Sequence, residues 1–137
     1  MKNFLLSAMF LILFIFCGTT FAANSPEDVY RKYIDALKNG EFSEMINYIS
    51  TEGRKNISGY TGEQKMKMFK HLQEMAPISY KVVKKTIPGA YAYLWIEGLY
   101  VFKEDPKPQK GYAKVYFINE SGEWKIQKEM CGKNPQQ

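Results

Sequence analysis

The chain has 137 residues with 19 basic and 14 acidic side chains, a formal charge of +5, and a length that suits one domain around one core. Arg31 and Arg54 are the only arginines among lysines spread along the chain, which sets aside nucleic acid, a partner that selects a clustered and usually arginine-bearing stripe. One histidine and two cysteines exclude a structural zinc site, and neither a metal nor a cofactor is expected.

Residues 1–22 read as a removable export signal. Lys2 supplies the positive start, Phe4 to Phe16 an almost unbroken apolar run, and Thr20-Phe21-Ala22 a small-x-small cleavage site. The run is short for a membrane span, and no second one follows to stop transfer. A single domain, 23–137, is then expected in the periplasm or secreted, with no transmembrane segment after cleavage. Lipid attachment at Cys17 is the competing reading, set back by the bulky Phe16 before it. Only Cys131 stays with the domain, so no internal disulfide can form. It reads as a small buried hydrophobe, or alternatively as a free thiol able to link two subunits.

The first helix is signalled by Ser25 as a cap, Pro26 at its first position and Asp28 where a capping-box acid sits. Val29, Tyr30, Tyr33, Ile34 and Leu37 recur at helical spacing, and Asn39-Gly40 stops it. A shorter helix follows through Phe42, Met45, Ile46 and Ile49, with Ser43 as its cap. Residues 50–62 lose the period and read as a loop with a short strand near Ile57. A third helix starts at Thr61, with Gln64 closing a capping box, and buries Met68, Leu72 and Met75 beside Phe69 until Pro77 ends it.

After Pro77 the chain reads as strands: Ile78 to Ile87, Ala90 to Glu104, Lys110 to Asn119 and Glu123 to Cys131. Asp105-Pro106-Lys107-Pro108 is expected to be a loop, because proline cannot donate to a ladder. Short connections make an antiparallel meander, and helices followed by strands make an α+β domain with the helices on one face of the sheet. Alternation places Leu94, Ile96, Tyr100, Phe102, Val115, Phe117, Trp124 and Ile126 toward the helices, with Lys128 and Met130 continuing that side. Tyr91, Tyr93, Trp95, Tyr112 and Tyr116 fall on the far side among lysines. The first strand alternates poorly, and its register stays open.

The opening S-P-E-D-V-Y-R-K-Y-I-D-A-L-K-N-G-E-F, followed by a four-stranded meander ending in G-E-W-K-I, resembles the nuclear transport factor 2-like superfamily. The small exported bacterial members are the nearest in pattern, and the resemblance runs from Ser25 to Met130. It implies a curved sheet wrapped round a long first helix, a cone with a pocket at its open end, and frequent dimers packed sheet against sheet. The superfamily includes ketosteroid isomerase and scytalone dehydratase as well as non-catalytic binding modules. Its enzymes point acids, tyrosines or histidines into the cone. Here the inward positions of the second and third strands carry no carboxylate, Glu97 points outward, and the acids of the first helix lie on its solvent face. No catalytic residue is carried over.

The reading that results is an exported, non-enzymatic binding or interaction domain. Tyr30, Tyr33, Tyr48, Tyr60, Tyr100 and Lys128 are the candidate pocket residues, suited to a small apolar ligand that meets hydroxyls in an apolar wall. Lys128 stands out as an amine among apolar neighbours, with snorkelling to water as the plainer account. Tyr91, Tyr93, Trp95, Tyr112 and Tyr116 are the candidate interface, expected to join a homodimer. The alternatives are an isomerase- or dehydratase-like enzyme using Lys128 with a tyrosine such as Tyr100, and a module that stacks envelope glycans on the outer rings. His71, on a polar helix face, is given no role.

Overall fold

A computed structural model describes residues 23–133; the export signal read over 1–22, Cys17 included, lies outside the described residues. Helix α1 (Pro26–Asn39) begins as its sequence predicts: Ser25 Oγ accepts from the Asp28 N–H at 3.2 Å, and Asp28 accepts in return from the Ser25 N–H at 3.3 Å. Gly40 ends it at φ 76°, a left-handed turn that costs glycine nothing. Helix α2 (Phe42–Asn47) has Glu41, not Ser43, at its N-cap position, and no side chain caps it.

Residues expected to form a loop instead form helix α3 (Thr51–Ser58), and the strand expected near Ile57 is absent there. Ser50 is the reason: its Oγ accepts from the Gly53 N–H at 3.2 Å and starts a turn locally. None of the α3 residues is buried, so no apolar period marks it. Helix α4 (Gly62–Met75) opens on the Thr61–Gln64 capping box. It buries Phe69 against Phe42 in an edge-to-face contact at 5.3 Å, while Met75, expected in the core, is 40% exposed.

Strands β1 (Ser79–Thr86), β2 (Tyr91–Phe102), β3 (Asp105–Glu120) and β4 (Glu123–Gly132) form one antiparallel meander in the order β1-β2-β3-β4. The proline stretch belongs to β3 and is not a loop. Phe102 pairs with Asp105 and Tyr100 with Gln109, so Pro106 and Pro108 fall in an irregular stretch where no ladder partner is needed. The β3–β4 hairpin turns on Ser121 and Gly122, at φ 54° and 90°, with Asn119 Oδ1 accepting from the Gly122 N–H. The free edge of β4 is covered by the α2–α3 junction, where Ser50 donates to Ile126 and Ile126 to Tyr48.

The core lies between α1 and the inner sheet face, where Tyr30, Ile34 and Leu37 meet Leu94, Ile96, Val115, Phe117 and Ile126. Each large side chain so buried contributes about 1.5–3 kcal/mol relative to exposure. Two irregularities shape the sheet. At Val83 the β1 register shifts, which explains that strand's poor alternation. At Gln127 an extra residue enters β4: Ile126 pairs with Phe117, but Lys128, not Gln127, pairs with Tyr116. Every side chain beyond it changes face. Lys128 and Met130, expected inward, therefore lie exposed on the outer face. Among the described residues no helix is long and apolar enough to cross a membrane.

Candidate functional site

The bulge at Gln127 turns Glu129 into the cone opposite Val115, and Cys131 follows it opposite Ala113. Tyr30 Oη, projected from the middle of α1, donates to Glu129 Oε1 at 2.8 Å, and the Cys131 thiol donates to the same oxygen at 3.8 Å. Tyr33, one helical turn on from Tyr30, shares a small cavity of about 60 Å³ with Glu129, Cys131, Leu72 and Met75. Met75 and Cys131 also wall a larger hollow of about 540 Å³, completed by Tyr100, Phe102 and His71 and mostly apolar in its lining. A carboxylate thus sits on the inner side of the sheet, beside a mouth in which apolar side chains mix with Glu74, Lys103 and Glu104.

Tyr100 owes its position to a pair of glycines. Gly98 and Gly111 face each other across β2 and β3, and the Tyr100 ring lies over them. A Cβ on Gly111 would come within 2.6 Å of that ring. The ring is only 4% exposed, and its hydroxyl has no hydrogen-bond partner among the described residues. An unpaired buried hydroxyl costs about 1–3 kcal/mol, which a bound polar group would relieve.

Burial sets the electrostatics. It raises the Glu129 carboxyl above its usual 4.5, against the Tyr30 and Cys131 hydrogen bonds that favour the charged form. The hydroxyls of Tyr30, Tyr33 and Tyr100 are pushed up by the same burial and by the nearby Glu129 charge. Cys131 is free and exposed at the mouth, not the buried hydrophobe expected. Desolvation round its sulfur and the Glu129 carboxylate beside it still push its thiol up to about 12, so it is a weak nucleophile at neutral pH.

Of the six pocket residues read from the sequence, the structure brings Tyr30, Tyr33 and Tyr100 together around Glu129. Tyr48 lies elsewhere: its hydroxyl donates to Glu44, and its ring walls a hollow of about 810 Å³ outside the cone, among Lys32, Asp35 and Glu41. That hollow is larger but open, and Lys32, Asp35, Glu41 and Glu44 make its lining charged. Tyr60 stands on the α3–α4 connection, 44% exposed. Lys128 is on the opposite face of the sheet. His71, given no role, walls the hollow of about 540 Å³ with Tyr100 and Phe102. Glu129 was hidden because plain alternation from Ile126 puts it outside. The signal was a strand that buried a lysine and exposed the glutamate beside it, a conflict that an extra residue resolves. Among the described residues no three histidine, cysteine or carboxylate side chains converge to hold a metal ion.

The candidate interface residues do share the outer face. Tyr93 and Tyr116 meet edge to face at 5.3 Å, and Trp95 lies 6.3 Å from Tyr93. Tyr112 pairs with Glu97 one row away, and Tyr91 is exposed at the far end of β2.

No protein-family model and no curated protein sequence matches the chain. Solved structures do. A SEC-C motif protein from Rhodopseudomonas palustris is similar at TM-score 0.60 and 14% identity, over 77% of each chain. A protein from Thiobacillus denitrificans described as a calcium/calmodulin-dependent protein kinase type II association domain is similar at TM-score 0.60 and 11% identity, over 82% of this chain and 98% of that one. A Streptomyces avermitilis protein described as a dehydratase of the nuclear transport factor 2-like family gives TM-score 0.54 and 13% identity, over 77% and 91%.

Proposed function

We propose that this chain, which has the nuclear transport factor 2-like fold, is an exported binding module for a small, largely apolar ligand with one polar end. The hollow behind Met75 and Phe102 carries this reading: Met75, Tyr100, Val101 and Phe102 give it an apolar wall rimmed by Glu74, Lys103 and Glu104. The Tyr100 hydroxyl is unpartnered, and Glu129 lines the small cavity that adjoins the hollow through Met75 and Cys131. A ligand that fills it exchanges apolar surface for contact with Tyr100, Phe102 and Met75, worth about 25 cal/mol per Å² before the cost of ordering the ligand. Its hydroxyl or amine end pairs with Tyr100 and Glu129.

The test uses N-phenyl-1-naphthylamine, an apolar body with one N–H, followed by its fluorescence on binding. Wild type binds it. Met75→Trp, a change at an exposed position, closes the mouth and abolishes the signal. Tyr100→Phe keeps the shape and weakens binding roughly fivefold through one lost hydrogen bond. Equal binding by wild type and Met75→Trp would place the probe elsewhere and sink the proposal.

One observation favours a second reading, an enzyme that moves a proton. Glu129 is desolvated, held by Tyr30 and raised toward neutrality, the condition of a general acid or base. Lys128, the amine that plain alternation offers for this part, faces the other way. If the chain turns over a ligand of the cone, Glu129→Gln removes turnover and leaves N-phenyl-1-naphthylamine affinity nearly intact. Turnover unchanged in Glu129→Gln would exclude this role.

A further inference from the structure

The outer sheet face is a second, independent surface, and its charge is as lopsided as its aromatic content. Between the levels of Leu99 and Tyr93 on β2, register places Lys81, Lys84, Lys110, Lys114 and Lys128 on this face with one carboxylate, Glu97. Glu97 is shared by Lys81 at 3.1 Å and Lys110 at 2.9 Å. Lys84, Lys114 and Lys128 have no acidic partner among the described residues.

The ammonium groups lie over the rings. Trp95 is flanked by its cross-strand neighbours, with Lys84 Nζ 4.8 Å and Lys114 Nζ 4.9 Å from its centre. Lys114 also stands 5.5 Å from Tyr93 and 4.9 Å from Tyr116. These contacts decide between occupants. Ring faces under lysines are poor platforms for stacked sugars. Tyr93, Trp95, Tyr112 and Tyr116 are half-buried and do not protrude as membrane-anchoring rings would. A second copy packed face to face would set unpaired ammoniums against unpaired ammoniums, a like-charge juxtaposition that suppresses association. An acidic polypeptide meets the face on every count. Its carboxylates neutralise Lys84, Lys114 and Lys128, and its apolar side chains cover the exposed Leu99, Val101 and Met130. A groove of about 350 Å³ beside Leu99, along the Lys81–Glu97–Lys110 row, gives such side chains a seat. We infer that the outer face of the sheet is a docking surface for an acidic segment of another polypeptide.

Poly-L-glutamate is the probe, titrated at low salt into a Trp124→Phe background that leaves Trp95 as the single tryptophan reporter. Trp95 emission changes on binding, and added salt reverses it. The triple variant Lys84→Gln/Lys114→Gln/Lys128→Gln binds roughly tenfold more weakly or worse, as expected for lost complementary charge. The charge-matched triple Lys55→Gln/Lys67→Gln/Lys70→Gln, exposed on the helices, binds like wild type. Equal weakening in both triples would reduce the effect to net charge and overturn the inference. So would adsorption to phosphatidylglycerol vesicles without polyglutamate binding, or a concentration-dependent dimer that shifts Trp95 emission without any polyanion.

Discussion

The two faces of the sheet draw on the same residue type and reach opposite electrostatic ends. Inside, Tyr30, Tyr33 and Tyr100 surround one carboxylate, and burial drives every titrating group there toward its neutral form. Outside, Tyr93, Tyr112 and Tyr116 lie among lysines whose ammonium groups stand over the rings at a face open to water. The difference comes from solvent access: a tyrosine is amphipathic enough for either setting, and a charge is not. Which charge went to which side was decided by one residue, the bulge at Gln127. A sheet with an acid inside and amines outside therefore has two unlike faces, one apolar and packed against α1, one broad and cationic.

The sharpest way to break this comparison is to exchange charge on neighbouring residues of β4. Glu129→Lys places an unpaired amine in the cone and should cost roughly 3 kcal/mol or more in denaturant unfolding. Lys128→Glu, one position away, should stay within about 0.5 kcal/mol of wild type. Similar costs at both positions would mean that the faces are not as described. Next in size is the contrast on β2. Leu94→Ala, fully buried, should lose about 3 kcal/mol, and Tyr93→Ala, adjacent but half-buried on the outer face, about 1 kcal/mol.

Deleting Gln127 tests the bulge itself. Removing a residue from a regular strand reverses the face of everything beyond it. Here the deletion closes the bulge and leaves Lys128 outside and Glu129 inside, so the loss should be near 1 kcal/mol, with N-phenyl-1-naphthylamine binding retained. Collapse of the fold on this deletion would argue for unbroken alternation.

The mildest effect is a pH dependence. Because the folded-state value of Glu129 is raised, its contribution to stability is complete below the usual 4.5 and is lost as pH climbs through the raised value. Glu129→Gln titrates in neither state and keeps an acceptor for Tyr30. It should therefore exceed wild type in stability at neutral pH and lose that advantage as pH falls from the raised value toward 4.5, with no further change below it. An advantage that grew on acidification would reverse the assigned direction.

Much of this molecule is written locally. Ser25, Asp28 and Gly40 bound α1, Thr61 and Gln64 open α4, and the alternation of β2 and β3 sorts Leu94, Ile96, Val115 and Phe117 from Tyr93, Trp95, Tyr112 and Tyr116. These features depend on neighbours within a turn or on a period that repeats along one strand, so a sequence displays them. Helix α3 escaped notice because it buries nothing and carries no period; Ser50 alone announces it. The site escaped for a different reason. Glu129 and Lys128 are adjacent, and no local preference says which of them faces α1. Only pairing β4 against β3, with Ile126 fixed beside Phe117 and Lys128 beside Tyr116, forces the extra residue out and turns the carboxylate in. The sequence by itself determined the capped helices and the two kinds of sheet face; the sheet decided which of two adjacent charges is buried, because a bulge is a property of two strands in register and not of one strand.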